Sequence, residues 1–478
     1  MYQPVIGMEV HVQLTTASKA FCGCSAAYAS APPNTLTCPV CLGLPGVLPV
    51  INRQAVEYSI MTGLALNCHV PHFTKWDRKN YSYPDLAKGY QISQYDLPIT
   101  RDGWLLVRTE EGERRIRIRR AHLEEDTAKL VHVGGRSYID FNRSGVPLIE
   151  IVSEPDMHSA EEARQYLVQL RSILRYLGVS TGNMEEGAMR CEANVSLRPE
   201  GSTELPSTYV EVKNLNSFRA VKAAVEYEIE RQARILDAGG KIERVTMGWD
   251  DARGVTVVQR SKEQAHDYRY FPDPDLPPLE VDREWVEELR SRLPELPDAR
   301  SERLVRQYGL TPYDAALLTE ERALADYYED AVAAAGDAGL AKPVANLITG
   351  PMFRLMNQAG ATIEQVKVRP GQLAELARLV EAGEVNLTTG RQVLEDMFNR
   401  GVSASVVIRE KGLGQITDEA KLEELARQAV ADNPRAVEDF RAGKTQAVKF
   451  LIGQVMRATR GQANPQTVEE ILRRILEG

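Results

Sequence analysis

Within residues 5–14 the chain alternates without a break from Ile6 on: Ile6, Met8, Val10, Val12 and Leu14 are apolar, and Gly7, Glu9, His11 and Gln13 stand between them. A period of two fits a strand with one buried face and one polar face. The pattern returns at residues 190–197, where Arg190, Glu192, Asn194 and Ser196 oppose Cys191, Ala193, Val195 and Leu197. At residues 210–216, Glu211 and Lys213 oppose Val210 and Val212, and residues 116–123 run into three consecutive acids, Glu124, Glu125 and Asp126. Several strands of this kind predict one sheet with a single functional polar surface.

For any one strand the plainer reading is an antiparallel sheet wetting one face. The choice of residues argues for more. Glu9, His11, Glu124, Glu125, Glu192 and Glu211 supply mostly hard oxygen donors, which repel one another unless a cation joins them. Mg²⁺ takes such ligands and keeps waters and substrate phosphates in its shell. The loop 75–97 adds Lys79 and Lys88 for phosphates and Tyr81, Tyr83 and Tyr90 for a base or ribose; a tyrosine-rich surface loop is the alternative.

A chain of 478 residues exceeds what one core supports, so two or three domains are expected. The first part reads as short strands, with a helix at 159–177 that has Ser159 and Glu162 as a capping box and Gly178 as its stop, and a second helix at 218–238. Residues 271–278, F-P-D-P-D-L-P-P, exclude helix and central strand and read as an extended crossing. Beyond Pro294 and Pro297 the chain turns helical, and Gly412 and Gly414 mark a second boundary. The expected class is α+β: a mixed or antiparallel-sheet domain at 1–293, an all-α domain at 294–409 and a small helical tail at 410–478.

Four of the six cysteines, Cys22, Cys24, Cys38 and Cys41, fall within twenty residues as C-x-C and C-P-V-C. Such clustering predicts a closed four-thiolate zinc site, structural because it leaves no open position for chemistry. No run approaches the ~18 apolar residues that cross a bilayer, and the N-terminus lacks a secretory pattern, so a cytoplasmic location without membrane contact is expected. The net charge of −9 excludes coating of nucleic acid by bulk charge. RNA contact would be local, at the acid-free strip 440–468 that carries Arg441, Lys444, Lys449, Arg457 and Arg460; a solvated helix face is the alternative. Gly443-Lys444-Thr445 is no P-loop, because Glu438 stands where the motif needs its first glycine and no strand precedes it.

Residues 139–151, I-D-F-N-R-S-G-V-P-L-I-E-I, match a known family position for position. So do G-M-E-V-H-V-Q-L, C-P-V-C-L-G-L-P-G-V-L-P-V, K-N-Y-S-Y-P-D-L-A-K-G-Y-Q-I-S-Q-Y, H-L-E-E-D-T-A-K, R-C-E-A-N-V-S, V-E-V-K-N-L-N-S and the C-terminal K-F-L-I-G-Q-V-M-R-A-T-R-G-Q-A-N-P. Together they resemble the B subunit of the tRNA-dependent amidotransferases over essentially the full chain.

The resemblance implies a glutamine-hydrolysing ligase built from three different chains. An amidase, the A subunit, releases ammonia, a small C subunit braces the assembly, and a non-discriminating aminoacyl-tRNA synthetase is a further partner. The B subunit uses ATP and Mg²⁺ to phosphorylate the side-chain carboxylate of misacylated Glu-tRNA or Asp-tRNA, and ammonia arriving by an internal channel displaces phosphate. By motif match, Glu9, His11, Glu124 and Glu125 go to the metal with Glu192 and Glu211 beside them, and Glu9, His11, Lys79 and Glu125 carry catalysis. Lys79, Tyr81, Lys88 and Lys213 go to nucleotide or substrate, and Asp140, Asn142 and Arg143 to the shell that shapes the site. The implied Zn²⁺ is structural, since family members lacking some of these cysteines exist. Two other readings stay open: a tRNA-binding scaffold whose acids are merely solvated, and a ligase acting on a free metabolite.

Overall fold

The alternation at 5–14 becomes strand β1 (Tyr2–Gln13), the central strand of an eight-stranded mixed sheet in a computed structural model. The structure describes residues 1–261, 267–413, 419–441, 444, 446–459 and 463–477. The other strands are β2 (Thr100–Thr109), β3 (Gly112–Glu125), β4 (Pro147–Ser153), β5 (Met189–Pro199), β6 (Val210–Leu215), β7 (Val245–Asp250) and β8 (Val255–Ser261). They lie in the order β8-β7-β6-β5-β1-β4-β3-β2, and only the β6–β7 pair is parallel.

One face of the sheet is the core. Ile6, Met8, Val10 and Val12 pack with the helices α1 (Arg53–Ala65), α2 (Ala160–Leu177) and α3 (Phe218–Asp237). Ser159 caps α2 by accepting from Glu162 N, and Gly178 ends the helix at φ 70°, a left-handed conformation that favours glycine. Glu162 departs from the reciprocal box: its carboxylate accepts from His158 N at 2.6 Å and pairs with Arg114 on β3, tying the helix start to the sheet.

The proline-rich stretch runs extended, pairing at Phe271–Pro272 with the strand Asp77–Asn80 and at Leu279–Glu280 with Phe73–Thr74. This crossing brings Tyr268 and Tyr270 over the polar side of the sheet.

The division into compact units falls between Leu296 and Pro297. Leu293 and Leu296 pack on the N-terminal core, so the chain leaves that unit only at the second proline. The second unit is helical, with one apolar core drawn from residues 304–407 and another from 422–476. Helix Ala404–Lys411 closes on Gly412 at φ 59°. No described helix is long and apolar enough to cross a membrane.

Tyr138, Asp140 and Asn142 alternate with Ile139 and Phe141 as a strand with one core face would, yet Arg136–Asp140 pairs with Lys129–Val133 and leaves Val131, Val133 and Tyr138 exposed, so neither face of this ribbon is core. Asn142 lies beyond the strand, in the turn, and is fully buried.

Candidate active site

Strand register gathers the polar residues. His11 on β1 stands opposite Glu150 on β4 and Arg190 on β5, and Glu150 stands opposite His122 on β3. Side chains on adjacent antiparallel strands at the same level lie about 5 Å apart. A row of His122, Glu150, His11 and Arg190 therefore crosses the polar face, with Glu9 and Glu192 facing each other one pleat away.

The row floors a cavity of about 440 Å³. His11 Nε2 lies 3.4 Å from Glu150, and His122 Nε2 lies 3.2 Å from Glu124. Glu124 is held by Ser93 Oγ at 2.7 Å and Gln91 Nε2 at 3.2 Å, donors from the strand Tyr90–Ser93. His11, Glu124 and Glu150 each offer a ligand atom within 4.8 Å of the others. Two carboxylates and one imidazole suit a divalent cation that keeps open positions toward a cleft.

The sequence alone assigned no site role to Glu150, His122 or Asp126, although Asp126 stands among the three consecutive acids. His122 sits at an alternate position within the strand expected at 116–123, and that period was the available signal; the strand Pro147–Ser153 around Glu150 is apolar on both sides of it and carried none. Asp126 accepts from Gln13 Nε2 at 2.7 Å and Arg190 Nη2 at 2.9 Å and closes one edge of the cavity.

The structure separates the paired acids. Glu124 faces the cavity with His11, whereas successive residues of a strand point to opposite sides, so Glu125 turns away. It forms an ion pair with Lys88 and accepts from Ile92 N at 3.0 Å, and Lys88 and Glu125 line a second cavity of about 200 Å³ beside Cys22 and Cys41.

Glu9 on β1, Glu192 on β5 and Glu211 and Lys213 on β6 line the main cavity. Lys213 pairs with Glu192 at 2.6 Å, Glu211 accepts from Thr246 Oγ1 at 2.6 Å, and Glu9 accepts from Asn194 at 3.0 Å. Lys79 and Tyr81 also line it, and Lys79 lies over the Tyr268 ring. Tyr95 stacks on Tyr270, with ring centroids 4.3 Å apart.

Asp140, Asn142 and Arg143 do not line the cavity. Asp140 accepts from Asn34 N at 2.9 Å, and Asn142 accepts from Leu36 N and donates to Pro32 O, so both hold the loop between the cysteine pairs. Arg143 donates to Thr127 O and Ala128 O, bracing the chain just after the three acids.

Electrostatics follow from crowding. Burial opposes ionisation of Glu150, but His122, the His11 hydrogen bond and Lys79 outweigh it and hold its carboxyl below the usual range. Burial likewise opposes charge on Lys79, and Glu124 and Glu150 keep it a cation. Glu9 is raised by burial and by Glu150 and Glu192. For His11, burial lowers the pKa, yet Glu150, Glu124 and Glu192 raise it on balance above 6.5.

In the metal-free protein a raised His11 stabilises the fold below pH 6.5, and that contribution is lost as pH rises through the folded value. The depressed Glu150 acts oppositely: its contribution is present above 4.5 and lost as pH falls through its folded value. A metal needs the imidazole unprotonated. Binding of Mn²⁺ as a spectroscopic probe is therefore expected to weaken as pH falls through the raised His11 pKa, and His11→Ala should abolish that step; an unchanged pH profile in the variant would remove His11 from the site.

At the N-terminal loop the four Sγ atoms of Cys22, Cys24, Cys38 and Cys41 lie within 4.8 Å of one another. A Zn–S distance of about 2.3 Å needs S···S edges of about 3.8 Å, so small side-chain adjustments close a tetrahedron. The Cys41 thiol is drawn down to about 4 by the Cys22 hydrogen bond, against burial, and then by Cys38 N–H and Lys19.

In the tail, Lys449 and Arg457 are exposed on the helix Ala447–Ala458, and Lys444 pairs with Asp439 at 2.8 Å. The side chain of Arg441, and Arg460 as a whole, lie outside the described residues.

A polar sheet face that gathers an ammonium and acids able to hold a cation, joined in sequence to helical domains, defines a class. Residues 4–287 match the GatB/GatE catalytic domain and residues 326–476 match the GatB domain, the two parts of one component of a tRNA-dependent amidotransferase. The chain is 55% identical to the B subunit of the aspartyl/glutamyl-tRNA(Asn/Gln) amidotransferase of Dehalococcoides mccartyi strain 195, covering 100% of this chain and 99% of that one. It is 55% identical to the same protein of Moorella thermoacetica over 99% of each chain, and 50% identical to that of Thermodesulfovibrio yellowstonii over 100% of this chain and 99% of its relative. The chain belongs to the B-subunit family of the tRNA-dependent amidotransferases, which are ligases.

Proposed function

We propose that this chain activates the side-chain carboxylate of Glu esterified to tRNA(Gln), or Asp esterified to tRNA(Asn), with ATP and Mg²⁺, and that ammonia then forms the amide. A carboxylate oxygen attacks the terminal phosphorus of ATP and ADP leaves. Ammonia then attacks the acyl carbon, and phosphate departs with the electrons of the broken C–O bond. The observation that carries this reading is the meeting of His11, Glu124 and Glu150 with Lys79 around one cavity.

Phosphoryl transfer is catalysed mainly by positioning and charge neutralisation. His11, Glu124 and Glu150 would hold Mg²⁺, which when bound neutralises phosphate charge. Lys79, kept cationic by the acids behind it, meets the transferring phosphoryl group. Arg190 at the end of the floor and Arg120 beside it orient the substrate carboxylate, while Tyr81, Tyr268 and Tyr270 offer aromatic faces to base or ribose. Glu9, Glu192 and Glu211 form a further acidic wall that Lys213 partly neutralises.

Ammonia comes from glutamine through an amidase partner, the A subunit, in a heterotrimer with a small C subunit, in the cytoplasm; a non-discriminating synthetase supplies the misacylated tRNA. The four cysteines hold structural zinc. Reconstitution with both partners tests the reaction: ADP release is expected to rise when misacylated tRNA is added and to fall to background in His11→Ala. Undiminished amidation in that variant would favour the scaffold reading, and equal turnover without tRNA a metabolite ligase.

The exposed Lys449 and Arg457 contact tRNA phosphates. Reversing both to Glu should weaken tRNA binding evenly across tRNA sequences and reduce the slope of log K against log salt by about 2, one per lost contact. Filter binding across a salt series measures this, and an unchanged slope would exclude both residues.

A further inference from the structure

Lys19 is a lysine without solvent. Its side chain is fully buried, among the largest in the core to be so, and its Nζ donates to Leu36 O at 2.8 Å, Phe141 O at 3.4 Å and Cys41 Sγ at 3.7 Å. Among the described residues no carboxylate pairs with it. Removing an ammonium from water costs several kcal/mol and is tolerated where opposite charge and hydrogen bonds replace the lost solvation. Two carbonyls and one sulfur are a poor replacement if that sulfur is a neutral thiol.

The balance changes when the cysteine cluster is a metal site. One divalent ion with four thiolates carries a formal charge of −2, buried on the side where Lys19 approaches. The backbone shows how closely the two are joined. Lys19 N donates to Cys24 O at 3.0 Å, Ser18 bridges to Ser25, and Ala20 N donates to Gly145 O at 2.7 Å, so Lys19 sits in the turn that carries Cys22 and Cys24 and beside the turn after residue 140.

We propose that Lys19 is the resident counter-cation of the four-cysteine site: its ammonium donates to the Cys41 sulfur, offsets the charge of the assembled thiolates and raises their affinity for zinc. The same Nζ binds Leu36 O in the loop between the cysteine pairs and Phe141 O in the 141–146 turn. One side chain thereby links metal retention to the turn whose Arg143 braces Thr127 and Ala128 beside the cavity acids. The inference rests on the zinc reading given above and adds a residue to it that is not a ligand.

Outer partners of metal ligands typically change affinity by about 10–100-fold. The test uses the full chain, purified with zinc, as wild type, Lys19→Met, which keeps length and apolar stem, and Lys19→Gln, which keeps an amide donor without charge. Zinc content by elemental mass spectrometry and the rate of zinc transfer to a chromogenic chelator are read, with circular dichroism in excess zinc confirming the fold. Lys19→Met should lose zinc about 10–100-fold faster, with Lys19→Gln between it and wild type. In Co²⁺-loaded protein the sulfur-to-metal charge-transfer band should shift in Lys19→Met, as a sulfur that has lost its donor is a stronger electron donor. Should Lys19→Met fail to fold, the Lys19→Gln comparison decides. A folded variant with wild-type release rate and an unshifted band would overturn the role of Lys19 while leaving zinc in place; wild type purified without zinc would overturn the zinc reading and this inference with it.

Discussion

Glu150→Gln is expected to lower ATP-dependent amidation of misacylated tRNA by on the order of 10²–10³-fold, about 2.7–4 kcal/mol of transition-state stabilisation, with the fold retained. The change is isosteric and sits on a strand fully buried among its neighbours, so packing is unaltered. It removes the charge that faces His11 at 3.4 Å and that, with Glu124, completes the three-ligand group. Mn²⁺ affinity should fall with activity. Glu125→Gln is the informative partner: its side chain faces Lys88 and the smaller cavity, so Mn²⁺ binding should survive. Wild-type Mn²⁺ affinity and turnover in Glu150→Gln would refute the assignment, as would equal loss of Mn²⁺ binding in both variants.

Lys88→Met should destabilise the N-terminal unit by about 3–5 kcal/mol, because it leaves Glu125 as a buried charge without its counter-ion. Only 3% of the Glu125 side chain is exposed, and its remaining hydrogen bond from Ile92 N cannot replace an ammonium. Burying an ion pair is itself nearly neutral, whereas breaking it is costly. The double variant Lys88→Met/Glu125→Gln should therefore recover most of the loss. Urea unfolding of the three proteins measures this, and a double variant as unstable as Lys88→Met would show that Lys88 acts through packing, including its contacts with Phe21 and Tyr90.

Much of this was legible in the chain. The period of two in residues 5–14 and 190–197 identified both the core face and the polar face, because alternation on a pleated strand leaves no other arrangement. The caps at Ser159 and Gly178 located α2 to the residue, since each supplies a hydrogen bond or a backbone conformation the helix end requires. Motif identity assigned His11 and Glu124 to the same site, and the geometry brings them together. Less was legible where two neighbours in sequence face different ways. Glu124 and Glu125 read as one acidic pair, yet a strand sends consecutive side chains to opposite sides. Glu150 lay within one of the segments that match the family and still went unassigned to the metal, because nothing in sequence relates residue 150 to residue 11.

Local chemistry therefore determined the elements, the family and the residue types at the candidate site: periodicity, capping and thiol spacing act over a few residues, and a chain displays them directly. Register across β3, β4, β1 and β5 is a tertiary property, fixed by which strands share hydrogen bonds. Register set Glu150 beside His11, the pleat of β3 turned Glu125 toward Lys88, and hydrogen bonds with residues 32–36 moved Asp140 and Asn142 from the candidate site to the cysteine loop. The physical reason is range: a side chain's direction follows from its own backbone, but its partners follow from strands more than a hundred residues away.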